Sequence, residues 1–321
     1  MEKTALVLGI SGQDGRYLSR RLYQEGYRII GVARNPISRT LGEEFNRDVG
    51  KNVQIRNFDA QDRLKLSALL DECRPVEIYN LAGESSVAES FANPTNAINS
   101  NTAITLNCLE FIREKAQETK FFNACSSECF GYQKITRASE GTPFQPISPY
   151  AVGKACAYSL TKIYRECFGI FACSAIMFNH ESRLRGDRFV SQKIVNAARL
   201  ISAKQSGTLE LGNLNIERDW GWAPEYVDGI YRIMQHRRAE DFVLATGESN
   251  KLSTFVDVAF QYYGLNWKDW VVSEERLFRP ADIKKNCGDP SKAMRELNWV
   301  ARYRLQDIIK DMAGDAVEPP V

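Results

Sequence analysis

The sequence predicts an α/β protein built on a doubly wound parallel sheet, followed by a smaller C-terminal lobe. Short β-rich runs alternate with amphipathic helical stretches through the first half of its 321 residues. These strand runs are apolar nearly throughout, which is typical of parallel strands buried on both faces. A glycine-rich turn separates the first strand from the first helix, and the alternation loosens after about residue 178. Together these observations predict a nucleotide-type sheet followed by a second, less regular unit.

The elements follow in order along the chain. We expect strands at residues 4–10, 28–34, 53–60, 76–83, 119–125 and 173–178. We expect helices at about residues 15–25, 63–73, 94–116 and 148–167. Later segments predict a strand at 242–247 and helices at 252–263 and 304–313.

The second half predicts a loop-rich lobe. Residues 179–222 show no long alternation and are rich in Arg, Asn and Gly. We therefore expect a first domain at 1–178, with 220–247 rejoining its sheet, and a second lobe made of 179–219 and 248–321.

Composition excludes several classes of protein. The net charge of +2 provides no basic field for nucleic acid or an anionic membrane. The apolar runs are much shorter than the roughly 20 residues of a membrane span, and no leader pattern precedes the first strand. The eight cysteines form no CxxC pair and only two histidines exist, so we expect no metal site and reduced thiols in the cytoplasm.

The first strand ends in a turn with glycines at spacings of three, Gly9, Gly12 and Gly15. Glycines allow a sharp turn and a close approach of the backbone to a pyrophosphate, which the following helix N-terminus attracts. An ordinary glycine-rich turn is the alternative, but the strand–turn–helix context favours a Rossmann-type phosphate loop.

The end of the second strand bears on the choice of cofactor. An NAD site usually carries an acid there for the ribose hydroxyls, whereas this chain has Arg34. A guanidinium suits a 2′-phosphate, so we expect NADP, with a solvated surface charge as the alternative. Asp59 follows the third strand and either borders the adenine or caps the next helix.

Four polar residues are candidates for acid–base chemistry. Ser126 and Glu128 end the fifth strand and are expected to point the same way. Tyr150 and Lys154 fall on one face of a helix that Ser148 caps. A nearby ammonium and the helix N-terminus predict a lowered pKa for Tyr150, which makes it a candidate general base. A solvated surface pair is the alternative for Tyr150 and Lys154, and a solvated loop carboxylate for Glu128.

These motifs resemble the extended short-chain dehydrogenase/reductase superfamily, of the NAD-dependent epimerase/dehydratase type. Longer segments resemble the GDP-mannose 4,6-dehydratase family, in order along nearly the whole chain. They are GISGQDGRYL, IYNLAGESSV, SSECFG, TPFQPISPYAVGKACAY, YRECFG, FNHES, RDWGWAPEYV, ATGES, FRPAD and GDPSKA.

The resemblance implies a reaction by internal oxidation and reduction. Tyr150, with Lys154 as its partner and Ser126 beside the same oxygen, would remove the proton of the sugar 4-hydroxyl while C4 gives a hydride to NADP+. Glu128 would remove the acidified C5 proton and help to expel the 6-hydroxyl as water. Hydride then returns to C6, so the NADP is recycled and stays tightly bound. The product would be a nucleotide 4-keto-6-deoxy sugar.

The resemblance also implies binding residues. The cofactor would contact Tyr150 and Lys154 together with Gly9, Gly12, Gln13, Asp14, Gly15, Arg34, Asp59, Leu81, Ala82, Gly83, His180 and Arg185. The nucleotide sugar, expected to be GDP-linked, would contact Ser85, Asn179, Val190, Lys193, Arg218 and Arg279. For Lys193, Arg218 and Arg279 the alternative is ordinary surface charge.

Other readings stay open. An NADP-dependent 4-reductase or epimerase would not need Glu128, and a non-catalytic cofactor-binding regulator would not need the Ser, Tyr and Lys set. Glu84, in the segment Gly83–Val87, and Arg183 depart from the pattern of many relatives, so a modified hexose or a heptose on GDP remains an alternative substrate. The resemblance implies a homodimer through the helices at about 94–116 and 149–167, or a homotetramer through the loop that reaches Arg39.

Overall fold

The computed structural model describes residues 3–38, 42–43, 45, 53–132 and 136–317. Arg39, in the loop that the resemblance connects with a homotetramer, falls outside these ranges. Within them the strands are β1 (Thr4–Leu8), β2 (Arg28–Ala33), β3 (Val53–Asn57), β4 (Glu77–Asn80), β5 (Lys120–Ser126), β6 (Ala172–Met177), β7 (Asn179–Glu181), β8 (Leu209–Leu211), β9 (Glu217–Arg218), β10 (Trp220–Trp222), β11 (Phe242–Leu244), β12 (Asn250–Lys251), β13 (Val271–Ser273) and β14 (Lys285–Asn286).

The helices alternate with these strands through the first half. In the described ranges they are α1 (Gln13–Gln24), α2 (Arg63–Cys73), α3 (Val87–Ala92), α4 (Pro94–Lys115), α5 (Pro149–Phe168), α6 (Val190–Lys204), α7 (Ala223–Gln235), α8 (Leu252–Tyr262), α9 (Ser291–Leu297) and α10 (Leu305–Ala313). None of them combines the length and the apolar character that a bilayer span requires.

The main sheet has seven strands in the order β11-β6-β5-β4-β1-β2-β3. Every pair of neighbours in it is parallel. The strand order reverses beside β1, because β1 lies between β2 and β4, and a crevice forms there at the carboxyl ends of the strands. The predicted α/β class with a parallel sheet is confirmed.

Apolar layers cover both faces of this sheet. One layer packs α1 and α7 against side chains such as Val7, Ile29 and Phe122. The other packs α2, α4 and α5 against side chains such as Leu6 and Phe121. Because successive strand residues point to opposite faces, β1 serves both layers, which explains its unbroken apolar sequence.

A separate apolar cluster lies beyond the main sheet. It joins α6, α8 and α10 through fully buried side chains such as Val256, Phe260 and Ile308. Three small sheets, β10-β7, β12-β9-β14 and β13-β8, accompany it. These short strands place residues from 179–218 and 271–286 beside the crevice of the main sheet.

The segment 179–222, which was expected to be loop-rich, contains a helix that was not predicted, α6 at residues 190–204. Its buried residues Ile194, Val195, Ala198 and Ile201 recur at helical spacing. The polar and charged residues between them weakened the signal. The sequence analysis also missed α3, α7 and α9, whereas β11, α8 and α10 lie where a strand and helices were predicted.

Candidate active site

The turn after β1 is built for a close approach of its backbone. Gly9 has a φ of +83°, and its amide donates to the carbonyl oxygen of Val32 at 2.9 Å. A Cβ on Gly15 would lie 2.4 Å from the carbonyl oxygen of Gly9 and 2.6 Å from the Cα of Ile10. Gly12 caps α1 with extended backbone and no side chain over the helix end. The first amides of α1 are therefore open to an anion, which fits a dinucleotide phosphate.

The side chains of Gln13 and Asp14 bind the segment that contains β7. The side-chain amide of Gln13 donates through its nitrogen to the carbonyl oxygen of His180 at 3.1 Å and accepts through its oxygen from the Ser182 hydroxyl at 2.8 Å. Oδ2 of Asp14 lies 3.0 Å from Nε2 of His180. The phosphate loop is thus bonded directly to the segment 179–185.

Two other predicted cofactor residues lie along the edge beyond β2 and β3. Arg34 follows the end of β2 directly and is exposed. The carboxylate of Asp59 accepts from the backbone amide of Gln61 at 2.9 Å, whereas Asp62 caps α2 by accepting from the amide of Lys65. Of the two alternatives for Asp59, the role of helix cap is therefore wrong.

A cavity of about 420 Å³ lies at the carboxyl ends of β4, β5 and β6. Many of the predicted residues line it: Asp14, Leu81, Ser85, Ser126, Glu128, Tyr150, Lys154, Asn179, His180, Arg185, Val190, Lys193, Arg218 and Arg279. The other predicted residues do not line this cavity: Gly9, Gly12, Gln13, Gly15, Arg34, Asp59, Ala82 and Gly83. Sequence reasoning missed further lining residues: Arg188, Glu210, Trp220, Phe278 and Asp282. The FRPAD segment was the one signal that pointed to Asp282.

The helix α5 delivers Tyr150 and Lys154 to the cavity. The Ser148 hydroxyl accepts from the amide of Ala151 at 3.2 Å, so the predicted cap is confirmed. Tyr150 and Lys154 are only 8% and 7% exposed. The alternative of a solvated surface pair is therefore wrong.

The predicted direction of the Tyr150 pKa is wrong. Burial raises the pKa of the phenol, and this effect outweighs a hydrogen bond with Ser126 that lowers it. The ammonium of Lys154 donates to the carbonyl oxygen of Ala124 at 2.9 Å and lies 5.9 Å from the centroid of the phenol ring. Burial also lowers the pKa of Lys154. Proximity along one helix face did not reveal how strongly both groups are desolvated.

Glu128 reaches the cavity by a turn rather than by strand alternation. The strand β5 ends at Ser126, and residues Ser127–Phe130 form a short 3₁₀ helix. The Ser126 hydroxyl caps this helix by accepting from the amide of Glu128 at 3.2 Å. The expected extended backbone through Glu128 is wrong, although both side chains line the cavity.

Arg218 lies beside Glu128 at the cavity wall. It is 3% exposed, and its Nε lies 3.9 Å from Oε1 of Glu128. Its guanidinium also binds Asp282 at 2.7 Å, and Arg279 lies 3.7 Å from the same Asp282 oxygen. The alternative of ordinary surface charge is wrong for Arg218, because its guanidinium is buried and paired.

Further cations surround the wider part of the cavity. The ammonium of Lys193 donates to the carbonyl oxygen of Glu210 at 2.9 Å. Arg185 pairs with the buried Glu181 at 2.9 Å, and its guanidinium lies 3.7 Å from the ring centroid of Phe189. Such fixed guanidinium and ammonium groups suit a ligand that carries phosphates.

The two departures from the family pattern have defined partners. Glu84 accepts from the amides of Ser85 and Ser86 at 2.8 and 2.7 Å. Arg188 lies 3.4 Å from Glu84 and donates to the Ser85 hydroxyl at 2.7 Å. Arg183 pairs with the buried carboxylate of Asp311 at 2.7 Å. Glu84 therefore joins two loops at the cavity, and Arg183 anchors the segment 179–185 to α10.

The cavity residues do not form a metal centre. Within the described ranges, no three His, Cys, Asp or Glu side chains are grouped as ligands for a metal ion. All eight cysteines are free thiols. The carboxylate of Glu128 and the phenol of Tyr150 are groups suited to proton transfer, and the cations that line the same cavity are suited to binding anions.

Comparisons with known proteins identify the family of this chain. The family model described as GDP-mannose 4,6 dehydratase matches residues 6–312. GDP-mannose 4,6 dehydratase 2 of Arabidopsis thaliana is 38% identical, over 98% of this chain and 87% of that protein. The GDP-mannose 4,6-dehydratase of Sinorhizobium fredii is also 38% identical, over 98% of this chain and 96% of that protein.

Solved structures show the same fold at lower identity. The UDP-glucose 4-epimerase of Bifidobacterium longum, in complex with NAD+ and UDP, has a TM-score of 0.86 at 20% identity, with 97% of each chain covered. RMD from Pseudomonas aeruginosa, complexed with NADPH, has a TM-score of 0.78 at 20% identity, with 98% of this chain and 97% of that chain covered. The resemblance inferred from the motifs is confirmed by the family match: this chain belongs to the GDP-mannose 4,6-dehydratase family.

Proposed function

We propose that this protein removes water from GDP-mannose to give GDP-4-keto-6-deoxymannose. The observation that carries the proposal is that Glu128 shares one cavity with Ser126, Tyr150 and Lys154. A simple reductase or epimerase needs the last three groups only, whereas the elimination of water needs a second acid–base group. GDP-mannose is proposed as the substrate because the chain belongs to the GDP-mannose 4,6-dehydratase family.

We propose NADP as the cofactor. The fit rests on the tight turn of Gly9, Gly12 and Gly15, where a Cβ at Gly15 would collide with the backbone of Gly9 and Ile10, and on the open amides of α1. Exposed Arg34 after β2 would hold the 2′-phosphate. When bound, the nicotinamide supplies a hydride acceptor for C4 and a hydride donor for C6.

The residues of this chain would then move two protons. Tyr150 would accept the proton of the sugar 4-hydroxyl in its ionised form, with the Ser126 hydroxyl beside the same oxygen. Burial raises the pKa of this phenol, so the hydrogen bond from Ser126, which lowers it, and the nearby ammonium of Lys154 would be needed to make that form accessible.

Formation of the 4-ketone acidifies the C5 proton, which Glu128 would remove. Glu128 would then protonate the departing 6-hydroxyl, so that water leaves and one carboxylate serves both events. C5 must regain a proton when C6 is reduced, and the proton that Tyr150 took from the 4-hydroxyl supplies that balance, so the sugar loses one water and no net proton. The buried position of Tyr150 and Lys154 limits the access of solvent to these transfers.

We propose that residues 179–219 and 248–321 provide most contacts to the nucleotide sugar, while 1–178 and 220–247 provide most contacts to the cofactor. Lys193, Arg218 and Arg279 would face the diphosphate and the base, since they bring positive charge to one cavity. Ser85, Asn179 and Val190 line the same cavity and would contact the rest of the ligand.

We also propose a homodimer in the cytoplasm. The helices α4 and α5 leave large apolar side chains exposed, namely Leu106, Val152, Ile163 and Phe168. An antiparallel pairing of these helices with those of a second copy would cover them. The free thiols suit a reducing compartment. A monomeric mass by light scattering at micromolar protein would contradict the dimer.

The test is incubation with GDP-mannose, a GDP-heptose and UDP-glucose, followed by mass spectrometry. The proposal predicts the loss of one water from GDP-mannose, with no external reductant consumed. The Y150F variant is the control and should form no product. Turnover that needs added NADPH and retains the water would identify a reductase. A preference for the GDP-heptose would contradict GDP-mannose as the substrate.

A further inference from the structure

The imidazole of His180 lies between two oxygen atoms. Its Nδ1 is 2.7 Å from the carbonyl oxygen of Phe178, and its Nε2 is 3.0 Å from Oδ2 of Asp14. The side chains of His180 and Asp14 are only 11% and 21% exposed. Both ring nitrogens therefore make their hydrogen bonds with protein oxygens.

This geometry fixes the number of protons on the pair. A carbonyl oxygen and an ionised carboxylate accept hydrogen bonds and cannot donate them, whereas a neutral imidazole carries one N–H. Two contacts with acceptors need two hydrogens. The second hydrogen lies either on the ring, which makes His180 an imidazolium, or on the carboxyl group of Asp14.

The surroundings favour the imidazolium. Burial alone would raise the pKa of Asp14, but the charge and hydrogen bond of His180 lower it overall. Burial alone would lower the pKa of His180, but Asp14 raises it overall, against a smaller opposing effect of Arg185. Arg185 also helps to lower the pKa of Asp14.

Two more groups face the pair from other helices. The ring of Tyr226 on α7 stacks on the imidazole with centroids 4.8 Å apart and planes 19° apart, and an aromatic face attracts a cation. The ammonium of Lys154 on α5 interacts favourably with the Asp14 charge. Both contacts favour a charged pair over a neutral one.

A second set of hydrogen bonds links the start of α1 to the segment 179–185. Gln13 donates to the carbonyl oxygen of His180 and accepts from the Ser182 hydroxyl, and it donates to Oδ1 of Asp14 at 3.1 Å. Two consecutive residues of α1 thus bind two residues of the segment 179–185, His180 and Ser182. That segment also carries Asn179 and Arg185 to the cavity.

We propose that Asp14 is a positioning residue that keeps His180 as an imidazolium, and that this ion pair holds the segment 179–185 against the phosphate loop. The protonation state does not depend on the proposed function, because it rests on the two contacts of the ring and on the groups that surround the pair. Its effect on turnover rests on the proposed function, because it acts through the residues that the segment presents to the substrate.

Nuclear magnetic resonance of the enzyme labelled with ¹⁵N-histidine tests the protonation state. His180 and His236 are the only histidines, so the H180Q and H236Q variants assign the two signals. We expect both nitrogens of His180 to remain protonated at pH 7.5. In D14N, where the amide of the new side chain can donate to Nε2, we expect a neutral ring with a pKa at or below the ordinary value of about 6.5. A neutral His180 in the wild-type enzyme, or an imidazolium that persists in D14N, would overturn the proposal.

Steady-state kinetics test the positioning role. In D14N we expect KM for GDP-mannose to rise about tenfold, the size of one hydrogen bond to a charged group, with kcat changed much less. The wild-type KM should rise with pH as His180 loses its proton, and D14N should lack that rise. D71N, which removes a surface carboxylate paired with Lys115, is the matched control and should behave as wild type.

The two proposals fail separately. If the enzyme does not act on GDP-mannose but His180 is an imidazolium that D14N neutralises, the proposed function fails and the ion pair stands. If D14N neutralises His180 while KM and its pH dependence stay as in wild type, the positioning role is wrong.

Discussion

The Nε atom of Arg218 lies 3.9 Å from Oε1 of Glu128, and the same guanidinium binds Asp282 at 2.7 Å. The acid at the end of β5 is therefore held beside a buried cation from β9. Arg218 in turn depends on the segment that carries Asp282. The dehydration chemistry proposed for Glu128 thus relies on residues from both halves of the chain.

Replacing Glu128 with Gln should stop the loss of water while hydride exchange at C4 continues. The amide keeps the shape of the side chain but cannot accept the C5 proton, so we expect a decrease in dehydration of about 10²-fold or more. Mass spectrometry of the product and the transient absorbance of the reduced cofactor measure the two steps. Normal dehydration by E128Q would contradict the role of this residue.

The R34A variant should lose its preference for NADP over NAD. Without the guanidinium, the 2′-phosphate loses a charge-assisted hydrogen bond, and we expect NADP affinity to fall about tenfold or more while NAD affinity stays the same. Titration calorimetry of the cofactor-depleted protein with each dinucleotide measures this. Equal affinities in the wild-type protein, or an unchanged preference in R34A, would rule out NADP selection by Arg34.

The G15A variant should disrupt the phosphate loop. The added Cβ would lie 2.4 Å from the carbonyl oxygen of Gly9 and 2.6 Å from the Cα of Ile10, and neither backbone atom moves freely. We expect a loss of about 1–3 kcal/mol of folding free energy and weaker cofactor binding. Thermal melting with and without NADP measures both effects.

The control for that variant is G141A, where a Cβ meets nothing within 4 Å. G141A should melt and bind cofactor like the wild-type protein. If G15A binds NADP as tightly as G141A does, the close approach at Gly15 has no part in cofactor binding.

Glu225 should make folding stability depend on pH. Burial raises the pKa of its carboxyl group to about 7, above the unfolded value of about 4.3. The native state therefore holds a proton that the unfolded chain releases. The stabilising effect of this proton is complete below about pH 4 and is lost as pH rises to about 7, by up to about 4 kcal/mol, since each pKa unit is worth about 1.4 kcal/mol.

Chemical denaturation of wild type and E225Q from pH 4.5 to 8 measures this effect. E225Q also perturbs the hydrogen bonds that Glu225 accepts from the amides of Arg302 and Tyr303. The quantity to compare is therefore how the difference in unfolding free energy between wild type and E225Q changes with pH. We expect wild type to lose stability relative to E225Q as the pH rises. A difference that stays constant with pH would contradict the buried, proton-binding carboxyl group.

Local patterns in the sequence predicted the sheet and the group of Ser126, Glu128, Tyr150 and Lys154, whereas the resemblance to the family supplied the other predicted cavity residues. Apolar runs marked the strands, and Ser148 marked the start of the helix that presents Tyr150 and Lys154. Ligands lie beyond the carboxyl ends of parallel strands, so Ser126 and Glu128, which follow the fifth strand, were expected at that edge.

Other features depend on contacts that no local pattern encodes. The pKa of Tyr150 follows from how much protein covers it, so burial reversed the predicted direction. The pair of Arg188 with Glu84 joins positions more than a hundred residues apart in sequence. The helix α6 was missed because polar side chains interrupt its apolar stripe.

The central claim is that oxidation at C4 and reduction at C6 of the same sugar take place in one cavity. GDP-mannose carrying deuterium at C4 tests it most directly, with nuclear magnetic resonance and mass spectrometry of the product. The account predicts a product that has lost one water and carries the deuterium in its C6 methyl group. A product that has lost water without deuterium at C6, or a substrate that keeps both its water and its C4 deuterium, would contradict it.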